Sequence, residues 1–133
     1  GLYVGTGAPN QITRMKMQRV NKPWGHEEIW AKTDKYVAKI LFIKGGHKLS
    51  LQKHLIKEET IRVLKGVLHL VYYDEDREKY IDDWLLEGDT FHVPPGKIHR
   101  FCADETHGDV TLMEVSTPEL EDVVRLEDDY NRS

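Results

Sequence analysis

The sequence predicts an all-β domain, a barrel or sandwich of antiparallel strands. Short runs rich in β-branched and aromatic residues recur along the chain, and glycine, proline or clustered charged residues separate them. Little of the chain has the periodicity of a helix. Short strands at regular spacing, with turn signals between them, are typical of small sandwiches and barrels.

The middle of the chain divides into predicted strands. Each is rich in residues that favour extended structure, and each ends at residues that favour turns, such as Gly45-Gly46 and the stiff corner Pro94-Pro95-Gly96. The charged segment 74–78 has the composition of a solvated hairpin loop. We therefore predict strands over residues 27–31, 36–44, 48–54, 59–64, 67–73, 79–86, 90–93, 98–103 and 110–115.

Both ends of the chain depart from this pattern. Residues 1–20 form a predicted N-terminal extension, because regular structure is interrupted there by Gly1, Gly5, Gly7 and Pro9. Residues 11–20 suit an edge strand or a short arm, either partly ordered or exchanged across a dimer. Residues 21–133 form a single predicted domain with a short acidic C-terminal tail, in which residues 120–130 favour one or two helical turns.

Composition limits the classes of function. A chain of 133 residues can bury a proper core in one domain, and its net charge of −4 offers no basic surface for nucleic acid. No apolar run approaches the length of a membrane span and no secretory signal is visible, so we expect no membrane partner. Cys102 is the single cysteine, which excludes an internal disulfide and suits a cytoplasmic protein.

The stretch from Gly46 to Gly66 contains the first candidate site. Gln52 and His54 lie two residues apart, so a regular strand points both side chains to one face, and Lys48 would share that face. Glu59 opens the next predicted strand. An amide oxygen, an imidazole and a carboxylate that converge from adjacent strands suit a divalent metal.

A second motif, from Gly88 to His99, supplies another ligand. Two prolines and a glycine make a tight corner before His99, so its side chain can project inward from a fixed place. Taken singly, each of these histidines and carboxylates is more often an ordinary core or surface residue. The two spaced motifs together favour ligation by His54, Glu59 and His99, and also by Gln52, which could instead orient a water.

Together the two motifs resemble the conserved blocks of the cupin superfamily, small β-barrels that hold a metal in the barrel mouth. Gln52 stands where that superfamily usually has histidine, and Ala103 stands where it often has asparagine. The resemblance implies a double-stranded β-helix, a jelly-roll-like barrel, and a homodimer. The matching positions are Gly46, Gln52, His54, Glu59 and Gly66 in the first block, and Gly88, Pro94, Gly96 and His99 in the second.

One subgroup of the superfamily is closer to this sequence. The phrase Leu-Ser-Leu-Gln-x-His, at residues 49–54, is similar to one that recurs in type II mannose-6-phosphate isomerases. It also recurs in the isomerase half of bifunctional mannose-1-phosphate guanylyltransferases. The motif Lys22-Pro23-Trp24-Gly25 and the tail around Arg125 extend the likeness over residues 21–132.

This resemblance implies a metal-dependent aldose–ketose isomerase that acts on a sugar or sugar phosphate in carbohydrate metabolism. It implies one divalent metal, zinc first, with manganese, iron, nickel or cobalt as alternatives. Arg125, which resembles the catalytic arginine of the isomerases, and Lys48 would supply positive charge to an oxyanion or a phosphate. Glu114 and Lys39 are the candidate bases.

Two other classes of function stay open. Two histidines and one carboxylate also form the ligand set of non-haem iron oxygenases, which would consume oxygen with iron and not with zinc. A non-catalytic sugar-binding or sensor domain would bind its ligand and show no turnover with any metal.

Overall fold

The structure, a computed structural model, describes residues 10–130 and contains twelve strands and no helix within them, so the predicted all-β class is confirmed. The predicted strands are present, with boundaries that differ by a few residues. The strands are β1 (Gln18–Lys22), β2 (Gly25–Lys32), β3 (Val37–Ile43), β4 (His47–Lys48), β5 (Leu51–Lys53), β6 (Glu59–Lys65), β7 (Leu68–Asp74), β8 (Lys79–Leu85), β9 (Thr90–Val93), β10 (His99–Ala103), β11 (Val110–Ser116) and β12 (Val124–Glu127).

The strands form two antiparallel sheets. The first has the order β1-β2-β3-β11-β6-β9, and the second has the order β12-β5-β10-β7-β8, with β4 also paired to β10. Strands distant in sequence are therefore neighbours in space: β11 lies between β3 and β6, and β10 lies between β5 and β7. This connectivity brings the two motifs of the sequence into one region.

The apolar core lies between the sheets, because each strand turns alternate side chains inward. Full burial of one such side chain contributes roughly 1.5–3 kcal/mol to folding. The first sheet provides Leu41, Ile43, Ile61, Val63, Val110 and Leu112, and the second provides Leu68, Leu70, Leu85, Phe101 and Ala103.

The motif Lys22-Pro23-Trp24-Gly25 forms the tight connection between β1 and β2. Trp24 is 2% exposed and belongs to the core cluster. Gly25 approaches β3 so closely that a Cβ atom would clash with the carbonyl oxygen of Phe42. Only glycine fits this position, which gives the motif a structural reason.

The strand predicted over residues 48–54 is interrupted. It consists of β4 and β5, with Leu49 and Ser50 between them. Leu49 is tied to β10 on both sides, since its N–H donates to the Phe101 carbonyl at 2.9 Å and its own carbonyl accepts from Arg100 Nε at 2.8 Å. The break changes which way Lys48 faces relative to Gln52.

The two ends of the described chain both add an edge strand. Residues 18–22 form β1, which pairs with β2, while residues 10–17 have no regular structure. The prediction of helical turns in residues 120–130 is wrong, because Val124–Glu127 extends along β5 as β12. Residues 1–9 and 131–133 lie outside the described range, and the division into extension and domain stays a prediction.

Candidate metal centre

Three buried side chains from separate elements meet between the sheets. His54 follows β5, Glu59 begins β6 and His99 begins β10, and their exposed fractions are 5%, 2% and 1%. The Nε2 atoms of His54 and His99 lie 3.4 Å and 3.3 Å from one oxygen, Glu59 Oε1. One ligand atom of each residue lies within 4.8 Å of the others, so the three could hold one metal ion.

The two imidazole rings are oriented by backbone carbonyls. His54 Nδ1 lies 2.5 Å from the Asp122 carbonyl oxygen, and His99 Nδ1 lies 2.9 Å from the Lys97 carbonyl oxygen. A carbonyl only accepts, so in the neutral ring each Nδ1 carries the hydrogen. Each Nε2 then presents a lone pair toward Glu59, which is the tautomer that a histidine ligand needs.

The donor set fits a divalent cation. Two imidazole nitrogens and one carboxylate oxygen are ligands that zinc binds, and ligands tetrahedrally arranged about 2.1 Å from an ion lie roughly 3.4 Å apart. Within the described residues, His99 Nε2 and Glu59 Oε2 are buried without a hydrogen-bond partner. Buried polar atoms without a hydrogen-bond partner are rare in protein interiors, and a bound cation would give both atoms a partner.

Gln52, the fourth predicted ligand, lines the same cavity, which has a volume of about 90 Å³. It lies in β5 directly opposite His99 of β10. The cavity is also bounded by the tail residues Leu120, Val123 and Arg125. The structure therefore brings all four predicted ligands to one cavity, and ligation by Gln52 stays a prediction.

A row of charged side chains continues from Glu59 across the inner face of the first sheet. Lys57 Nζ lies 3.5 Å from Glu59 Oε2 and 3.1 Å from Glu114 Oε2. Lys39 Nζ lies 3.8 Å from the same Glu114 oxygen and 3.1 Å from Glu27 Oε2. The five residues are 9% exposed or less, and acidic and basic groups alternate along the row.

Burial and pairing set the charge states in this row. Burial opposes ionisation of Glu59, but the adjacent imidazoles of His54 and His99 outweigh burial and lower the pKa of Glu59 well below its usual range. Burial, together with the negative charge of Glu59, raises the pKa of Glu114 to about 7. Burial likewise opposes the charge on Lys39, yet the attraction of Glu114 and Glu27 raises the pKa of Lys39.

The predicted catalytic residues fall in two places. Glu114 and Arg125 line the cavity, from β11 and from β12, with Arg125 opposite Gln52 across the β5–β12 pairing. Lys48 lies outside it, in a groove of about 620 Å³ on the outer side of the second sheet. There its Nζ lies 3.6 Å from Asp129 Oδ2.

Sequence reasoning missed three residues that the structure places at the site. Lys57 lies two residues before Glu59, a spacing that could have suggested a shared face. Glu27 alternates with buried Ile29 on β2, which is a weak signal for an inward position. Asp122, whose carboxylate accepts three backbone N–H groups of residues 55–57, has no signal in the sequence, because its partners are distant along the chain.

Three solved structures that share this architecture have the cupin fold. The capsular polysaccharide assembling protein CapF from Staphylococcus aureus matches 85% of this chain and 35% of its own, with a TM-score of 0.71 and 17% identity. Oxalate decarboxylase from Bacillus subtilis matches 83% of this chain and 30% of its own, with a TM-score of 0.69 and 18% identity. KdgF from Halomonas sp. matches 80% of this chain and 89% of its own, with a TM-score of 0.64 and 20% identity. At these identities the likeness establishes the fold alone, and the protein has the predicted cupin fold.

The sequence defines the family within that fold. The chain belongs to the family described as mannose-6-phosphate isomerase C-terminal, which it matches over residues 10–128. Mannose-1-phosphate guanylyltransferase of Sinorhizobium fredii is 32% identical over 79 residues, which are 59% of this chain and 14% of that protein. This chain thus spans a small part of its curated relative. No helix in the described residues is long and apolar enough to cross a membrane.

Proposed function

We propose that the cavity binds one divalent cation through His54, Glu59 and His99, with Gln52 as the fourth ligand, and that the protein interconverts an aldose phosphate and a ketose phosphate. The observation that carries this proposal is the convergence of both Nε2 atoms on Glu59 Oε1, at 3.4 Å and 3.3 Å, in a buried site. Family membership supports the sugar-phosphate class of substrate. Zinc is the first expectation for the metal, and manganese, iron, nickel and cobalt are alternatives.

The bound cation would supply a Lewis acid that stabilises negative charge on a sugar oxygen. The protein's own groups would place the substrate around it. Lys57 Nζ lies in the cavity wall, 3.1 Å from Glu114 and 3.5 Å from Glu59. Its positive charge would stabilise the negative charge that develops on an adjacent sugar oxygen. Arg125 lines the cavity from the tail and would bind the phosphate or the developing oxyanion.

A base must also move a proton between neighbouring carbons of the sugar. Glu114 is the proposed base, because it is a buried carboxylate on the cavity wall and none of the four ligands. Lys39, the other candidate base, is kept protonated by Glu114 and Glu27, so the proposal gives it no role as a proton acceptor. Lys48 lies in the outer groove, so the proposal gives it no contact with the sugar.

The cavity of about 90 Å³ is smaller than the roughly 300–1,000 Å³ of typical ligand pockets. It accommodates a cation and the reacting end of a sugar, and the rest of the substrate would extend past the tail residues Leu120, Val123 and Arg125. This geometry favours an open-chain sugar, whose carbonyl and adjacent hydroxyl form a narrow end.

The experiment is an isomerase assay on protein loaded with each of the five metals. Incubation with mannose 6-phosphate should yield fructose 6-phosphate. His99→Ala should lower the rate by more than about 100-fold, because a direct ligand contributes at least as much to metal binding as a residue that hydrogen-bonds to a ligand. His107→Ala is the matched control, because His107 lies on the exposed loop before β11 and should keep full activity. Absence of fructose 6-phosphate with every metal would reject the isomerase.

The ligand set also supports an iron-dependent oxygenase as a second candidate, because two histidines and one carboxylate are its usual ligands. The same preparations decide this: oxygen consumption with Fe(II), absent with zinc, would favour the oxygenase. Sugar-phosphate binding without turnover in any metal would favour a sensor or binding domain.

We further propose that the protein works as a homodimer in the cytoplasm. The cupin likeness supports the homodimer, and the single cysteine, Cys102, supports the location. Light scattering of the purified protein would test the first, and a monomer at micromolar concentration would reject it.

A further inference from the structure

The C-terminal tail, residues 117–127, forms one wall of the cavity and is tied down at both ends. At its start Thr117 N–H donates to the Glu58 carbonyl at 3.0 Å, and Glu58 N–H donates to Thr117 Oγ1 at 3.0 Å. At its end β12 pairs with β5. Between these anchors the tail crosses the loop of residues 54–58, which joins two of the proposed ligands.

Asp122 makes the contacts in the middle of the tail. Its Oδ1 accepts from Leu55 N–H at 3.1 Å, and its Oδ2 accepts from Ile56 N–H at 2.7 Å and Lys57 N–H at 2.9 Å. One carboxylate thus holds the consecutive amides between His54 and Glu59. The carbonyl of the same residue lies 2.5 Å from His54 Nδ1.

We propose that Asp122 is a positioning residue for the metal centre, which fixes the loop between His54 and Glu59 and holds His54 in the tautomer that leaves Nε2 to bind. This inference rests on the proposed metal site. Asp122 contacts neither the cation nor the substrate in this proposal, and it acts through His54.

The two histidines differ in how their orientation is secured. His99 bonds the carbonyl of Lys97, two residues earlier on the same corner, so its partner is local. His54 bonds a carbonyl 68 residues away, which stays in place only while the tail is docked. Loss of the Asp122 carboxylate should therefore release His54 and leave His99 unchanged, a difference that a general loss of packing would not produce.

Asp122 would have this effect because the backbone N–H groups of the loop need hydrogen-bond acceptors. The loop amides of residues 55–57 have no strand partner, and an ionised carboxylate makes short, charge-assisted bonds with them. Without it the loop and the tail can separate, and His54 Nδ1 loses its fixed acceptor. Residues that hydrogen-bond to a metal ligand typically contribute about 10- to 100-fold to metal affinity, so we expect a loss of affinity of about that size.

The test compares Asp122→Ala with Glu121→Ala, a matched control that removes the exposed carboxylate next to it. Nitrogen NMR of metal-free protein reports the tautomer of each histidine, and a Co²⁺ titration reports affinity through the visible spectrum. We expect Asp122→Ala to show mixed tautomers at His54 alone and about 10- to 100-fold weaker Co²⁺ binding. Glu121→Ala should match the wild type in both measurements.

Retention of a single His54 tautomer with wild-type affinity in Asp122→Ala would overturn the inference, and so would an equal change in Glu121→Ala. If Asp122→Ala fails to fold, Asp122→Asn keeps one acceptor oxygen and should show a smaller shift at the same histidine, and no shift there counts against the role. A wild type that binds no Co²⁺ would reject the proposed metal site, while the tautomer measurement would still show whether Asp122 orients His54.

Discussion

The interior of this cupin has an apolar half and a charged half, and both are built on the same strands. In the pairing of β3 with β11, Ile43 lies opposite Val110 at one end, while Lys39 lies opposite Glu114 toward the other. All four residues are buried. The same two paired strands therefore bury apolar side chains at one end and charged side chains toward the other.

The difference shows what each half contributes. Apolar burial stabilises the fold at roughly 25 cal/mol per Å², whereas burial of an ion pair often stabilises less than an apolar pair of similar volume. An apolar interior of the same shape would often be at least as stable, so stability alone does not account for the charged half. Deviations from good local design are expected at functional sites, and this region contains the proposed ligands.

We expect the largest loss in the free energy of unfolding from Lys57→Met, which disrupts the charged half of the interior. This change removes the ammonium between Glu59 and Glu114, and loss of one partner of a buried pair typically costs about 3–5 kcal/mol. Urea denaturation of metal-free protein measures the change in the free energy of unfolding. Excess zinc should restore part of it, since a cation then offsets the charge of Glu59.

An exposed lysine of β6 is the control for that experiment. Lys65→Met alters an exposed residue at the end of β6 and should change the free energy of unfolding by no more than about 0.5 kcal/mol. A loss below about 1 kcal/mol in Lys57→Met would contradict the view that the charges of this half depend on each other.

Leu112→Ala disrupts the apolar half, and we expect it to lower the free energy of unfolding somewhat less than Lys57→Met does. Leu112 is fully buried in the core cluster, and such truncations typically cost about 2–5 kcal/mol. Because Leu112 does not line the cavity, metal affinity should stay within about twofold of the wild type under native conditions. Denaturation and metal titration measure the two quantities, and a large loss of affinity would show that the halves are coupled.

The sequence predicted most of the fold and part of the site. Alternation and turn residues predicted the strands, because these signals are local. The spacing of Gln52, His54, Glu59 and His99 predicted a common location, and the structure brings them to one cavity. The resemblance added the connectivity, which no local pattern contains.

The features that the sequence did not predict depend on partners distant along the chain. The interruption at Leu49 follows from hydrogen bonds with residues of β10, and without it Lys48 would share the face of Gln52. The tail forms β12 because β5 offers it an open edge, although its residues suited a helical turn. Lys57 was missed because lysine is seldom buried, and only the acidic residues around it make that position favourable.

We expect the smallest effect from a change at Cys102, a buried titratable residue outside the cavity. Cys102 is 7% exposed and lines the outer groove beside Arg100 and Lys48. Burial raises the pKa of the Cys102 thiol to about 11, and the two positive charges offset burial only in part. At pH 8 the thiolate fraction is then roughly 100-fold below that of a thiol with a pKa near 9, so native protein should react slowly with iodoacetamide.

The same shift gives a dependence on pH with a definite sign. The folded protein retains the thiol proton between pH 9 and pH 11 while the unfolded chain releases it, so Cys102 contributes stability below pH 9 that is lost as the pH rises toward 11. Comparison with Cys102→Ala across this range isolates the contribution, because other groups titrate equally in both proteins. Equal pH dependence of the two proteins, or rapid alkylation of native Cys102, would mean that burial does not raise the pKa of the Cys102 thiol.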